Sequence, residues 1–268
     1  MTEESLVPII AGLFGLLCGS FLNVCSLRWS QDESIVSPSS RCPRCFESVR
    51  WCDNIPILSW MILRAKCRFC SEPISIQYPL VELASALIWA GVFAAHGATP
   101  EALRGGIFLW ILLGISISDA RFYIIPTEFS IGGTVIGVGM AFLPGGIDWL
   151  TSLIGAAVGY AALWFVEFGG TYLIKKLSPS CLEKAGVDQA MGSGDIKMMM
   201  MVGAFLGVWG VAQTVFLGSL VALLVFGPIS IMSKRLIPLG VFLAAAAAIS
   251  YGWGEQILSW YLTRIFGL

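Results

Sequence analysis

From Leu6 to Leu27 the chain carries no charged side chain, and a helix of that length spans the roughly 30 Å of a bilayer's hydrocarbon core. Comparable apolar runs recur at about Leu80–Ala95, Arg104–Ser118, Trp149–Ile174 and Leu236–Ser250. The run from Ile196 to Met232 is long enough for two crossings, with a turn expected near Gly207, Trp209, Gly210 and Gln213. A further span is expected through Gly132, Gly133, Gly137 and Gly139. Hydrocarbon offers no partner to a backbone N–H or C=O, so each run must close its own hydrogen bonds as a helix. The expected fold is an all-α polytopic membrane protein with about eight transmembrane helices and a small cytoplasmic insertion after the first. With 57% hydrophobic and 12% charged residues, the composition excludes a soluble domain.

The placement of charge sets the orientation. Glu3 and Glu4 precede the first apolar run in place of the basic residues of a secretory leader, so that run is expected to remain as the first span. Seven of the sixteen basic residues, Arg28, Arg41, Arg44, Arg50, Arg64, Lys66 and Arg68, fall between Arg28 and Pro79, which puts that segment on the cytoplasmic side. Lys175, Lys176 and Lys184 mark another cytoplasmic stretch and are expected to meet lipid headgroups. A net charge of −1 points to no nucleic-acid partner. Within the first span, Gly12, Gly15, Gly19 and Ser20 permit close helix contact, and Asn23 is expected to hydrogen-bond to another helix. Pro126 suits the start of a helix. The C-terminal stretch Glu255–Leu268 reads as an interfacial helix or a short further span.

The basic segment contains Cys42-Pro43-Arg44-Cys45 and Cys67-Arg68-Phe69-Cys70. Each C-x-x-C turn offers two sulfurs, and the pair completes a four-thiolate tetrahedral shell, the pattern of a structural zinc site. A cytoplasmic location disfavours the alternative of two disulfides. Four thiolates leave no open coordination position, so the metal is expected to hold structure and not to do chemistry. Cys18, Cys25, Cys52 and Cys181 are expected to pack as small apolar residues. Trp51, Ile55, Ile57, Leu58, Trp60, Met61, Ile62 and Leu63 read either as a small core around the metal or as a face against the membrane surface.

Two acids interrupt the apolar pattern. Asp195 lies in Met191-Gly192-Ser193-Gly194-Asp195-Ile196-Lys197, at the cytoplasmic lip of a span, and Asp119 closes the third span at Asp119-Ala120-Arg121. A carboxylate at that depth is expensive to keep ionised and is a functional-site hypothesis by default. Gly192 and Gly194 would let another backbone approach Asp195. The plainer readings are a glycine-rich turn capped by Asp195, and an Asp119–Arg121 ion pair. If the two carboxylates meet, they share one proton, which suits acid–base hydrolysis. His96, alone and without a neighbouring acid in sequence, is expected at the surface, leaving a Ser-His-Asp triad unsupported.

Taken together, these residues resemble the type IV prepilin peptidases, also called leader peptidase/N-methyltransferases, which are membrane aspartyl proteases of the GxGD type. The resemblance rests on Gly19-Ser20-Phe21-Leu22-Asn23-Val24, both cysteine pairs, Asn54-Ile55-Pro56-Ile57-Leu58-Ser59-Trp60, Tyr78-Pro79-Leu80-Val81-Glu82, Asp119 before Ile125-Pro126, and Gly192-Ser193-Gly194-Asp195-Ile196-Lys197. It implies cleavage of the basic leader of a prepilin or pseudopilin after a glycine, at the cytoplasmic face of a bacterial inner membrane. It implies N-methylation of the new N-terminus with S-adenosylmethionine as well. Asp119 and Asp195 would be the catalytic pair, Gly192, Gly194 and Lys197 would flank the substrate's approach, and the cysteine segment would serve methyl transfer with Zn²⁺ on Cys42, Cys45, Cys67 and Cys70. The implied organisation is residues 1–27 as first helix, 28–79 as zinc-binding domain and 80–268 as protease core.

Three positions depart from the family pattern: Ala65 stands for glycine, Thr127 for an acid, and Pro238-Leu239-Gly240-Val241 for Pro-Phe-Gly-Pro. The last two are expected to lie away from both aspartates. Other classes consistent with the residues are a peptidase without methyl transfer, and a membrane scaffold or transporter carrying a zinc ribbon.

Overall fold

The computed structural model describes residues 3–177, 189–233, 238–265 and 267. The expectations on Cys181 and Lys184 lie outside them. Among the described residues the chain is helical, with no strand beyond the isolated bridges Arg41–Ser48 and Lys66–Pro73. It packs as two compact units, Met1–Gly114 and Ile115–Leu268.

The first unit pairs α1 (Glu3–Arg28) with α3 (Gln77–His96). A lipid tail is as apolar as a leucine, so helix pairing here depends on close packing and hydrogen bonds. Glycine supplies the first. A Cβ on Gly15 would stand 2.8 Å from the Cα of Ala86, and one on Gly19 would stand 2.6 Å from the Cα of Glu82. The Ser85 hydroxyl then reaches across to donate to the Gly15 carbonyl at 2.7 Å. Asn23 makes the expected interhelical bond, donating from Nδ2 to the Tyr78 carbonyl at 3.2 Å. Cys25 is buried, whereas Cys52 is exposed; it stands in a 3₁₀ turn, Trp51–Asn54, whose residues are not buried. His96 has an acid neighbour that its sequence context did not show, Glu101 at 3.6 Å from Nδ1.

Between α1 and α3 lies the cysteine segment, with the short helix α2 (Leu58–Ile62). Its apolar side chains do not form a core. Trp51, Leu58, Met61 and Ile62 all point outward, Trp51 at 85% exposure, as an interfacial face does. The segment is tied to the membrane pair by Glu82, a buried acid on α3 whose Oε2 accepts the Ile57 N–H at 2.7 Å.

α4 (Pro100–Phe122) runs past the expected end of the third span, so Asp119 is in its last turn. Tyr123 then breaks the helix with φ 56°. Beyond Pro126, at the position expected, a five-residue π turn, Glu128–Gly132, leads into α5 (Gly133–Met140). α6 (Trp149–Leu177) is followed by α7 (Ser193–Ser233) and α8 (Leu239–Ile265). α7 is two arms joined at Gly207, whose φ of 69° and ψ of −171° interrupt the helix, a conformation open to glycine. The first arm runs antiparallel to α6, with Gly159 against Met199, Gly155 against Gly203, and Thr151 against Gly207. The second arm pairs with α8, where Gln213 donates to the Gly254 carbonyl at 2.7 Å and Gly218 meets Leu243. α8 is one continuous helix, so the expected break after Ser250 is absent.

Among the described residues, six helices are long and apolar enough to cross a membrane. The larger number expected from sequence arises because α5 is shorter than a full span and α7 is one element folded at Gly207. Large apolar side chains such as Leu17, Phe165, Leu223 and Leu224 cover the exterior, a surface that lipid would cover. The chain is a multi-pass membrane protein.

The α6–α7 seam makes a direct test. A Cβ on Gly155 or Gly203 would collide with the partner helix's backbone, which cannot rotate away. Gly203→Ala is expected to destabilise the second unit by about 3 kcal/mol, seen as a lower thermal midpoint in detergent. Gly91→Ala, with no heavy atom near its added methyl, should leave the midpoint unchanged or raise it.

Candidate functional site

The two cysteine turns have the same local fold. In the first, Cys42 N–H donates to the Glu47 carbonyl and Phe46 N–H to the Cys42 carbonyl, both at 3.0 Å. In the second, Cys67 N–H donates to Glu72 at 2.8 Å and Ser71 N–H to Cys67 at 3.0 Å. Phe46 and Ser71 each take a left-handed conformation, φ 60° and 57°, which turns the chain back after the second cysteine.

Together the turns bring all four sulfurs within 4.8 Å of one another, with Cys42–Cys70 at 3.7 Å and Cys45–Cys67 at 4.0 Å. A tetrahedron with metal–sulfur bonds of about 2.3 Å has edges of about 3.8 Å, so the residues fit one ion. The N–H groups of Cys45 and Arg44 hold the Cys42 thiol down at about 7. The Glu47 N–H favours the Cys45 thiolate, but desolvation and the thiols of Cys70, Cys42 and Cys67 outweigh it and push Cys45 up to about 12. A cation removes that conflict by taking all four as thiolates, so binding releases protons. Arg68, inside the second turn, donates from Nε to Asp53 at 2.7 Å and holds its carboxyl below the usual range.

The turn before Cys67 explains one departure from the family pattern. Arg64 and Ala65 both have positive φ, 50° and 57°, which an L side chain resists and glycine does not.

In the second unit, Ile125 packs against Gly194, next to Asp195, and against Gly240, which borders the Asp119 carboxylate, so both acids lie around one side chain. Asp119 is buried at 6% exposure and Asp195 is half-buried. Among the described residues Asp119 makes no ion pair with Arg121. Its Oδ2 instead accepts the N–H of Val241 at 3.0 Å, in the first turn of α8. A Cβ on Gly240 would stand 2.9 Å from the same oxygen. The expectation that Pro238–Val241 lies apart from the aspartates is therefore corrected. Hydropathy marks a span's extent, and gives no sign of which helix terminus meets which side chain.

Gly192 is exposed, and a Cβ there would stand 3.4 Å from Asp195 Oδ2. Gly194 faces Ile125, whose Cβ would lie 2.9 Å from an added methyl. The buried Ile125 reaches Gly240 as well, with Cδ1 at 2.9 Å from the corresponding position, and so packs against the start of both α7 and α8. Lys197 places Nζ 3.4 Å from the Thr127 hydroxyl.

Comparison with known proteins bears on this arrangement. Residues 13–96 match the bacterial peptidase A24 N-terminal domain, and residues 106–227 match the type IV leader peptidase family. A prepilin leader peptidase/N-methyltransferase of Aeromonas hydrophila is 32% identical over 94% of this chain and 92% of its own length. The chain belongs to the type IV leader peptidase family. It is thereby a membrane peptidase. Proteins of the same name from Myxococcus xanthus and Bacillus subtilis are 37% and 28% identical, over 77% and 95% of this chain. The chain spans 60% of the length of the Myxococcus protein and 98% of the Bacillus one. No solved structure matches. These relatives of the leader peptidase family carry a peptidase and a methyltransferase in one name.

Relief of the Ala65 strain should be measurable. Ala65→Gly is expected to stabilise the cysteine segment by about 1 kcal/mol, the left-handed cost less glycine's extra unfolded-state entropy. Slower limited proteolysis between residues 28 and 79 would show it; unchanged or faster cleavage would refute it. Replacing Cys42 and Cys45 together by serine should lower the metal content of the purified protein, read by elemental analysis, and speed the same cleavage.

Proposed function

We propose that this chain cuts the basic leader from type IV prepilins or type II secretion pseudopilins, after a glycine and on the cytoplasmic face of the inner membrane. What supports the reading is that Asp119, in the last turn of α4, and Asp195, in the first turn of α7, lie either side of Ile125, which packs against Gly194 and Gly240. The basic residues between Arg28 and Arg68 favour the cytoplasmic orientation. A substrate with a basic leader in the cytoplasm and an apolar helix in the bilayer presents its junction at that depth.

In this reading one carboxylate takes a proton from water while the new hydroxide forms a bond to the scissile carbonyl carbon. The other gives its proton to the carbonyl oxygen, producing a neutral diol. The diol collapses as the C–N bond breaks, and the leaving amine takes a proton. Exposed Gly192 leaves the substrate backbone free to approach, and Lys197 lies beside that path.

The second step transfers a methyl group to the freed amine, for which S-adenosylmethionine supplies the electrophilic carbon. In the first unit, a cleft of about 330 Å³ lined by residues including Leu17, Phe21, Val24, Arg28, Ser39 and Asn54 is a candidate place for the donor. Zn²⁺ on the four cysteines holds the cysteine segment in shape. Residues 28–79 serve as the metal-binding part and residues 80–268 as the protease core.

The test is mass spectrometry of a prepilin incubated with the purified protein, with and without S-adenosylmethionine. A product cut after the leader glycine, heavier by one methyl only with the donor, is expected. Asp119→Asn and Asp195→Asn should each slow cleavage at least about a thousandfold with metal content unchanged, and the parent pH–rate profile should be bell-shaped. Full cleavage by either variant would remove the aspartates from the chemistry, and cleavage without methylation would leave a peptidase alone.

A further inference from the structure

The two aspartates are not held alike. Asp119 is buried and its Oδ2 accepts a backbone N–H from the start of α8. Asp195 is half-buried, and among the described residues no backbone N–H donates to its carboxylate. Its own N–H is spent on the Gly192 carbonyl at 3.2 Å.

Val241 carries a backbone N–H that reaches Asp119, and a proline in its place would have none to donate. Gly240 is what lets the helix come so near, because any side chain there would meet both Asp119 Oδ2 and Ile125 Cδ1 at 2.9 Å. A hydrogen bond from a peptide N–H to a carboxylate favours the ionised form, and it is strengthened by the positive end of the helix that carries it.

We propose that Val241, through its backbone N–H, is a positioning residue that divides the labour of the pair: Asp119 is kept as the carboxylate that takes the proton from water, and Asp195 as the acid that protonates the scissile carbonyl. The inference rests on the reading of Asp119 and Asp195 as the catalytic pair. Of the titratable groups around Asp119, Asp195 on α7 is the one that interacts with it electrostatically. The first turn of α8, Leu239 to Phe242, carries none. Arg121 in the last turn of α4, Tyr123 just beyond it and Glu128 on the π turn are its further neighbours in sequence, and Lys197 is engaged with Thr127.

Val241→Pro tests this, since proline is tolerated in the first turn of a helix and removes the donor without adding a charge. The readout is the pH dependence of prepilin cleavage by the full-length protein. Loss of the donor makes the ionised base less favourable, so the acid limb of kcat/KM should move to higher pH by about one unit. Cleavage on that limb should fall about tenfold, with KM and thermal midpoint little changed. Val241→Ala keeps the N–H and should leave the acid limb at the parent's pH, whatever its effect on rate. Superimposable Val241→Pro and parent profiles would overturn the proposal, as would equal shifts in both variants.

Should Val241→Pro fail to insert or fold, Gly240→Ala decides. Its methyl must displace the Asp119 carboxylate, so kcat should fall and the acid limb rise while KM holds, and an unchanged profile overturns the proposal. An active Asp119→Asn would instead refute the catalytic pair itself. An inactive one beside unshifted Val241→Pro refutes only the division of labour.

Discussion

The membrane helices of this protein depend on touching backbone to backbone. In hydrocarbon the exclusion of water no longer drives helices together, and association falls to dispersion and to hydrogen bonds that need short distances. The seams answer both needs. Gly15 and Gly19 let α1 lie on α3, and Ser85 and Asn23 then reach carbonyls on the facing helix. Gly155 and Gly203 do the same for α6 and α7, where Ser152 donates to the Ala204 carbonyl at 2.7 Å. A hydroxyl's reach is short, so it can bridge only a seam that glycine has closed.

The aspartates inherit their places from that packing. Asp195 begins the first arm of α7, which the glycine seam fixes against α6. Asp119 ends α4, and α8 brings its first turn to the carboxylate because Gly240 has no side chain. Ile125 fills the space against Gly194 and Gly240. A shift in the α6–α7 seam would thus be felt as a shift of Asp195 relative to Asp119.

Much of this was legible in the sequence for physical reasons that can be named. Apolar runs of bilayer length mark helices because the backbone has no other choice in hydrocarbon. The cysteine turns announce a four-sulfur cluster able to hold an ion, because their spacing fixes the sulfurs locally. Glycine in the first span foretold the α1–α3 seam. What stayed hidden was contact between distant segments. Nothing local to Gly240 and Val241 points to Asp119, since both sit in an ordinary apolar helix start. The hairpin at Gly207 was visible as a glycine in an overlong run, whereas the unbroken α8 was not, because polar Glu255 and Gln256 resemble an end.

The cysteine segment shows how a small domain can do without an apolar core. Its larger side chains, Trp51, Leu58, Met61 and Ile62, face outward, so burial contributes little to its cohesion. Cohesion comes instead from the two sulfur turns, from the Asp53–Arg68 pair, and from the Trp60 Nε1 bond to the Ile74 carbonyl at 3.1 Å. Ile57 holds a left-handed φ of 60° and presents its N–H to the buried Glu82. A β-branched residue in that conformation is strained, and an acid inside a helix pair is costly. Each is tolerable only because it satisfies the other. That bond ties the polar segment back onto α3, with its apolar side chains left exposed.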